Sequence, residues 1–193
     1  MTLTASGIIY LFANLLYGDT ADKTFSNAAY LKHVDGFDYQ FFGLSPKEAS
    51  LMNPQQRLFL QSAYQAIEDS GYSPDELRGS RTGIYLGYQA DDPFDYKRYI
   101  SELEPESLNI SGTGNLTSII AGRVAYLLDF KGSCLSVDTA CSSSLVALHL
   151  ACKAIRDGAC SMALVGSVRI NLMPLKNQLN FGANSSDGKA RTF

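Results

Sequence analysis

CLSVDTACSSSLVALHLACKAIRDGACSMALVGSVRIN, residues 134–171, carries a strand, a helix and a second strand in immediate succession. Residues 134–140 (CLSVDTA) form a short apolar run that predicts a strand. Residues 142–157 (SSSLVALHLACKAIRD) predict a helix closed by Gly158, and 162–171 (MALVGSVRIN) predict another strand. Strand, helix, strand is the crossover unit that joins parallel strands. Both strands are apolar with little alternation and the helix is apolar on most sides, so the unit is expected to lie deep between covering layers. The fold class this implies is a layered α/β protein.

Working outward, residues 118–128 (SIIAGRVAYLL) carry small and large apolar side chains at helical spacing, and Asp129, Phe130, Lys131 and Gly132 read as the turn that ends them. Residues 82–88 (TGIYLGY) predict a strand. The clearest helix lies further upstream, with Asn53 as N-cap, Pro54 at the first helical position, Leu60, Ala63, Tyr64 and Ile67 on one face, and Gly71 just past its end. Between these elements, 89–108 is polar and acidic, with carboxylates at Asp91, Asp92, Asp95, Glu102, Glu104 and Glu106, and reads as a solvated loop with a short helix. The first forty residues read as an irregular lead-in in which Phe37, Phe41 and Phe42 pack before a turn at Pro46.

The 193 residues fit one compact domain, and a 46% apolar content is enough to build its core. A net charge of -3 without clustered Lys and Arg argues against nucleic acid as a partner, because phosphate binding works by displacing counterions with basic side chains. Cys134, Cys141, Cys152 and Cys160 lack the close pairs of structural zinc sites, so no metal is expected. Residues 7–17 (GIIYLFANLLY) have no basic residue before them and no small-x-small pattern after them, unlike a signal peptide. They are also shorter than the about 20 apolar residues that span a bilayer, so no membrane partner is expected. Cytoplasmic residence with reduced thiols is the corresponding expectation.

Cys141, in DTACSSS, stands where the strand ends and the helix begins. There its sulfur meets the positive end of the helix dipole, which favours thiolate over thiol. A sharp strand-to-helix turn presents such a group at the carboxyl edge of a sheet, and unpaired N–H groups of the first helical turn can face an oxyanion. The arrangement suits acyl transfer. A small apolar side chain packing a helix start is the alternative that these residues alone leave open.

VDTACSSSLVALHLA (137–151) resembles the active-site signature of the beta-ketoacyl synthases. FFGLSPKEASLMNPQQRLFLQSAYQAIEDSGY (41–72), GSRTGIYLG (79–87), AGRVAYLLDFKG (121–132) and SSDGKARTF (185–193) resemble successive blocks of modular type I polyketide ketosynthases, in their order. Five blocks in register, over 35–193, are far more specific than any one of them. The resemblance implies a thiolase-like layered α/β/α/β/α fold, of which this is the N-terminal half, with 1–34 a poorly matched lead-in. It also implies that Cys141 accepts an acyl chain from the phosphopantetheine of an acyl carrier protein, with no cofactor bound directly. A malonyl-type extender then loses carbon dioxide, and its carbanion attacks the thioester in polyketide or fatty-acid biosynthesis. Implied partners are carrier-protein domains, a second copy in a homodimer through this region, and the C-terminal half of the synthase. SVRINLMPL (167–175) resembles ketosynthases of bacterial assembly lines served by a separate acyltransferase.

Some features depart from the family. Its two catalytic histidines belong to blocks with no counterpart here. His33 lies in the lead-in, and His149, eight residues after Cys141, is about 12 Å of helical rise away, beyond hydrogen-bond reach, and reads as a packed or otherwise satisfied helix residue. The opening strand is not recognisable, although 11–19 (LFANLLYGD) corresponds to the helix after it, and Asn53 replaces the usual Asp with equal capping ability. Condensation is therefore expected to need the C-terminal half. The alternative is a non-catalytic binding or dimerisation remnant, against which the retained cysteine argues. Other thiolase-fold enzymes are disfavoured by the full DTACSSS context.

Overall fold

A computed structural model describes Leu31, residues 34–89 and residues 96–170. The chain divides into two compact units, 37–170 and a second made of 1–36 with 171–193, and the description concerns the first. The readings made on 1–30, on the acidic positions 91, 92 and 95, on Asn171 and on the closing block 185–193 lie outside the described residues.

The order of elements is α1 (Pro46–Leu51), α2 (Pro54–Asp69), α3 (Pro74–Leu77), β1 (Thr82–Gly87), α4 (Tyr96–Leu103), α5 (Leu108–Asn115), α6 (Thr117–Leu128), β2 (Cys134–Val137), α7 (Ser143–Arg156) and β3 (Met162–Ser167). Two 3-10 turns, Pro105–Ser107 and Ala140–Ser142, precede α5 and α7. Helix α2 has the ends read from its sequence: Asn53 accepts a hydrogen bond from the Gln55 N–H at 2.9 Å, Pro54 occupies the first turn, and Gly71 follows the last. Pro46, read as a turn, instead opens α1 behind the N-cap Ser45. The same Ser-Pro-x-Glu order recurs at Ser73, where Ser73 and Glu76 close a reciprocal capping box on α3.

The sheet runs β2-β1-β3 and all its pairs are parallel, with Ile84 opposite Cys134 and Leu164, and Gly87 opposite Val137 and Ser167. The predicted crossover from β2 through α7 to β3 is present, and it passes over β1, which lies between the two strands. Every residue of β1 is buried, and its side chains divide by strand alternation. Ile84 and Leu86 join Phe59, Leu60 and Ala63 of α2 and Val124 and Leu128 of α6 on one face, whereas Tyr85 meets Ala147 and Ala151 of α7 on the other. The result is a three-layer α/β/α arrangement in which each large side chain of β1 contributes about 1.5–3 kcal/mol by leaving water.

Depth is distributed differently from the sequence reading. The strands of the crossover unit were expected to lie deep between covering layers, but among the described strands β2 and β3 lie at the two edges, β2 exposed and β3 half-buried, and β1 takes the central place. Helix α7 buries its small-residue row, Ser143, Ala147 and Ala151, against the sheet, with Leu150 and Ala154 half-buried beside it. Leu145, Leu148 and Ile155 stay 70%, 47% and 45% exposed. A sheet can cover one stripe of a helix, so apolar side chains placed all round it exceed what β1 and its neighbours hide. The acidic region also holds more helix than expected. Helix α4 buries Tyr96 and Ile100, and α5 packs behind α1.

Candidate active site

Strand β2 ends at Val137, three residues earlier than its composition suggests, and the chain bends through Asp138, Thr139 and the 3-10 turn Ala140–Ser142 before α7 begins at Ser143. Cys141 is the middle residue of that turn, and its thiol is free and exposed. Because β1, β2 and β3 are parallel, the turn stands at their common carboxyl edge, the end at which open α/β sheets present reactive and binding groups.

Side chains from both ends hold this turn in shape. The Asp138 carboxylate (Oδ1) accepts from the Ala140 N–H at 3.1 Å. The Ser143 hydroxyl accepts from the Thr139 N–H at 2.9 Å and donates to the Ala140 carbonyl at 2.7 Å. The Ser142 hydroxyl donates to the Thr139 carbonyl at 2.7 Å, with Thr139 Oγ1 2.9 Å away. Ala140 itself has φ +52, a left-handed conformation that costs a residue with a Cβ about 1–2 kcal/mol. This strain sits immediately before the cysteine.

These bonds alter the expectation for an oxyanion site. The N–H groups of Thr139 and Ala140 are taken by Ser143 and Asp138, and that of Ser142 by the Thr139 carbonyl, so the turn's remaining donor is the N–H of Cys141. The approach of α7 to the sheet edge depends on Gly87, the last residue of β1. A Cβ there would stand 2.8 Å from Ser143 C and Ser144 N and 3.0 Å from Ser144 Cα, so a glycine is what lets the helix start touch the strand end.

His149 is exposed on α7 rather than packed, and nothing brings it to Cys141. His33 is outside the described residues. Of the other thiols, Cys160 is buried and Cys152 half-buried. Cys134 is exposed as a residue, yet desolvation of its sulfur raises its pKa above the ordinary cysteine range. A cavity of about 770 Å³ opens among Phe41, Tyr64, Tyr72, Pro74, Arg78 and Leu127, and Cys141 is not in its lining. Among its lining residues, Ser73 and Glu76 are engaged with each other's backbone in the capping box of α3. Among the described residues no group of His, Cys, Asp and Glu could hold a metal ion, and no helix is long and apolar enough to cross a membrane.

These features define a layered α/β domain that presents a free thiol on a strained strand-to-helix turn at the carboxyl edge of a parallel sheet. The family described as "Beta-ketoacyl synthase, N-terminal domain" matches residues 15–193, beginning ahead of the sequence blocks quoted above. The chain belongs to that family. Polyketide synthase PksL of Bacillus subtilis is 40% identical over 186 residues, covering 91% of this chain and 4% of its own length. Polyketide synthase GfsB of Streptomyces halstedii is 42% identical over 177 residues, covering 89% and 3%. Among solved structures, the ketosynthase from module 6 of the bacillaene synthase of Bacillus subtilis superposes with a TM-score of 0.62 at 40% identity, over 75% of this chain and 24% of that one. The Streptomyces albus oxazolomycin ketosynthase domain OzmH KS7 gives 0.64 at 41% identity, over 75% and 25%. The fold is therefore the thiolase-like ketosynthase fold. The chain spans about a quarter of these solved ketosynthases and only a few per cent of the curated synthases.

Proposed function

We propose that Cys141 is the acyl-accepting nucleophile of a polyketide ketosynthase. The observation that carries this reading is the position of its free, exposed thiol on the turn between β2 and α7. In the proposed step the Cys141 thiolate attacks the carbonyl carbon of an acyl thioester on the phosphopantetheine of a carrier protein. The tetrahedral oxyanion faces the Cys141 N–H, and collapse expels the phosphopantetheine thiolate and leaves the acyl group on Sγ. Decarboxylation of a malonyl-type extender on a second carrier then supplies the carbanion that displaces Sγ and forms the β-keto product. That second half needs groups to stabilise the enolate, which the family resemblance assigns to histidines outside the blocks found here. Acylation without condensation is therefore the activity proposed for these 193 residues alone.

The exposed row Leu145, Leu148 and Ile155 supports a second, compatible reading, in which this region also binds protein, either a second copy or the C-terminal half of the synthase. Incubation with an acyl-N-acetylcysteamine thioester followed by peptide mass spectrometry tests the first reading. The acyl mass is expected on the peptide bearing Cys141 and is expected to vanish in Cys141→Ala. Acylation spread equally over Cys134, Cys152 and Cys141 would sink it.

A further inference from the structure

The geometry points to Ser143 as a positioning residue that sets the Cys141 thiol through the backbone in front of it. The inference rests on Cys141 being the reactive group, and it concerns how the turn is held rather than which acyl group is taken. Ser143 is buried, and its hydroxyl bonds backbone groups on both sides of the left-handed residue, one ahead of Ala140 and one behind its Cα. It accepts from the Thr139 N–H at 2.9 Å and donates to the Ala140 carbonyl at 2.7 Å. A φ of +52 at an alanine relaxes unless its neighbours are held, because the Cβ crowds the backbone there. Asp138 holds only the N–H side of Ala140, and Ser142 holds Thr139 from an exposed position.

Ser143 is itself fixed by tertiary structure. Its row-mates Ala147 and Ala151 seat α7 on Tyr85, and the backbone at Ser143 abuts Gly87 at the end of β1. The hydroxyl therefore refers the position of Cys141 to the rigid sheet rather than to the exposed edge strand β2. Loss of the hydroxyl would leave the Thr139 N–H without its partner and let Ala140 move to an ordinary right-handed or extended conformation, carrying the sulfur away from the sheet edge.

The test is competitive alkylation of the whole 193-residue chain with iodoacetamide, followed by mass spectrometry of each cysteine peptide. Ser143→Ala is expected to slow Cys141 by about tenfold, the worth of one well-placed hydrogen bond, while the rates at Cys134 and Cys152 stay within about twofold. Ser143→Thr, which keeps the hydroxyl, is expected to restore Cys141 to within about threefold of the parent. An unchanged Cys141 rate in Ser143→Ala, equal changes at all three thiols, or a threonine variant as slow as the alanine one would each overturn the inference. Should Ser143→Ala fail to fold, amide hydrogen exchange in the parent chain decides: the Thr139 N–H is expected to be protected relative to that of Cys141, and equal fast exchange of both overturns it. Alkylation that follows these expectations in a chain that accepts no acyl group would remove the acyl-transfer reading and leave the role of Ser143 standing.

Discussion

Gly87 at the end of β1 and Ser143 at the start of α7 meet backbone to backbone, close enough that a Cβ on Gly87 would stand 2.8 Å from the Ser143 carbonyl carbon. Neither partner is a flexible side chain, so an alanine at 87 must displace the helix. Gly87→Ala is expected to destabilise the chain by about 1–3 kcal/mol and to lower Cys141 alkylation at the same time. Urea unfolding read by circular dichroism gives the first quantity, and cysteine mass spectrometry the second. Full stability with normal labelling would show that the contact is not tight in solution.

Gly132 offers a sharper comparison. A Cβ there would lie 2.4 Å from Thr82 O and 2.5 Å from both Gly83 N and Thr82 C, where the turn into β2 crosses the start of β1. Gly132→Ala is expected to cost more than about 3 kcal/mol. Gly122, inside α6 with nothing within 4 Å of its would-be Cβ, is the control: Gly122→Ala is expected to stabilise by up to about 1 kcal/mol, since alanine is the better helix former. Thermal unfolding of the two variants side by side checks both signs.

Helix α2 was legible because both its ends carry chemical markers, Asn53-Pro54 and Gly71, around a regular apolar face. Helices α1 and α3 have equally plain starts in their Ser-Pro-x-Glu runs, but at six and four residues they are too short for periodicity to support the reading. Helix α5, LNISGTGN, has no such marker. It is held from outside, by Gly114 lying close under Met52 and by the Asn115 amide donating to the Leu51 carbonyl at 2.7 Å. The site divides in the same way. The junction that presents Cys141 follows from local pattern, whereas the left-handed Ala140 and the hydroxyl of Ser143 across it depend on how α7 meets β1. Val137 and Thr139 favour a strand on their own, and a reading by composition runs β2 too far.

Tyr96 gives a prediction in alkaline solution. Its hydroxyl donates to the Ser50 carbonyl at 2.6 Å in a buried setting, and burial raises its pKa above the ordinary 10.0. A raised folded value means that the neutral phenol is the form the fold favours. Its contribution is therefore complete below about pH 10 and is lost as the pH climbs through the folded value. Urea midpoints measured at about pH 8 and pH 11 are expected to fall more in the parent than in Tyr96→Phe, which loses the hydrogen bond, worth about 1 kcal/mol, at both. Tyr99, stacked on Tyr96 and likewise raised by burial, leaves some alkaline sensitivity in the variant.

The outer face of α7 decides how the chain behaves when isolated. Leu145, Leu148, Cys152 and Ile155 follow one another at spacings of three and four residues, so they share a stripe, and the three aliphatic members are exposed. Water gains when such a stripe is covered, at about 25 cal/mol per Å² of apolar surface removed, so the chain is expected to self-associate at micromolar concentration. Leu145, 70% exposed, buries little in the folded chain, and Leu145→Glu is expected to change stability by less than about 0.5 kcal/mol. The new carboxylate would still have to be desolvated in any contact made through the stripe. Sedimentation velocity is therefore expected to show oligomers in the parent and monomer in the variant, with thermal midpoints nearly equal. Association that survives Leu145→Glu would move the sticky surface to another element, the exposed edge of β2 being the next to test.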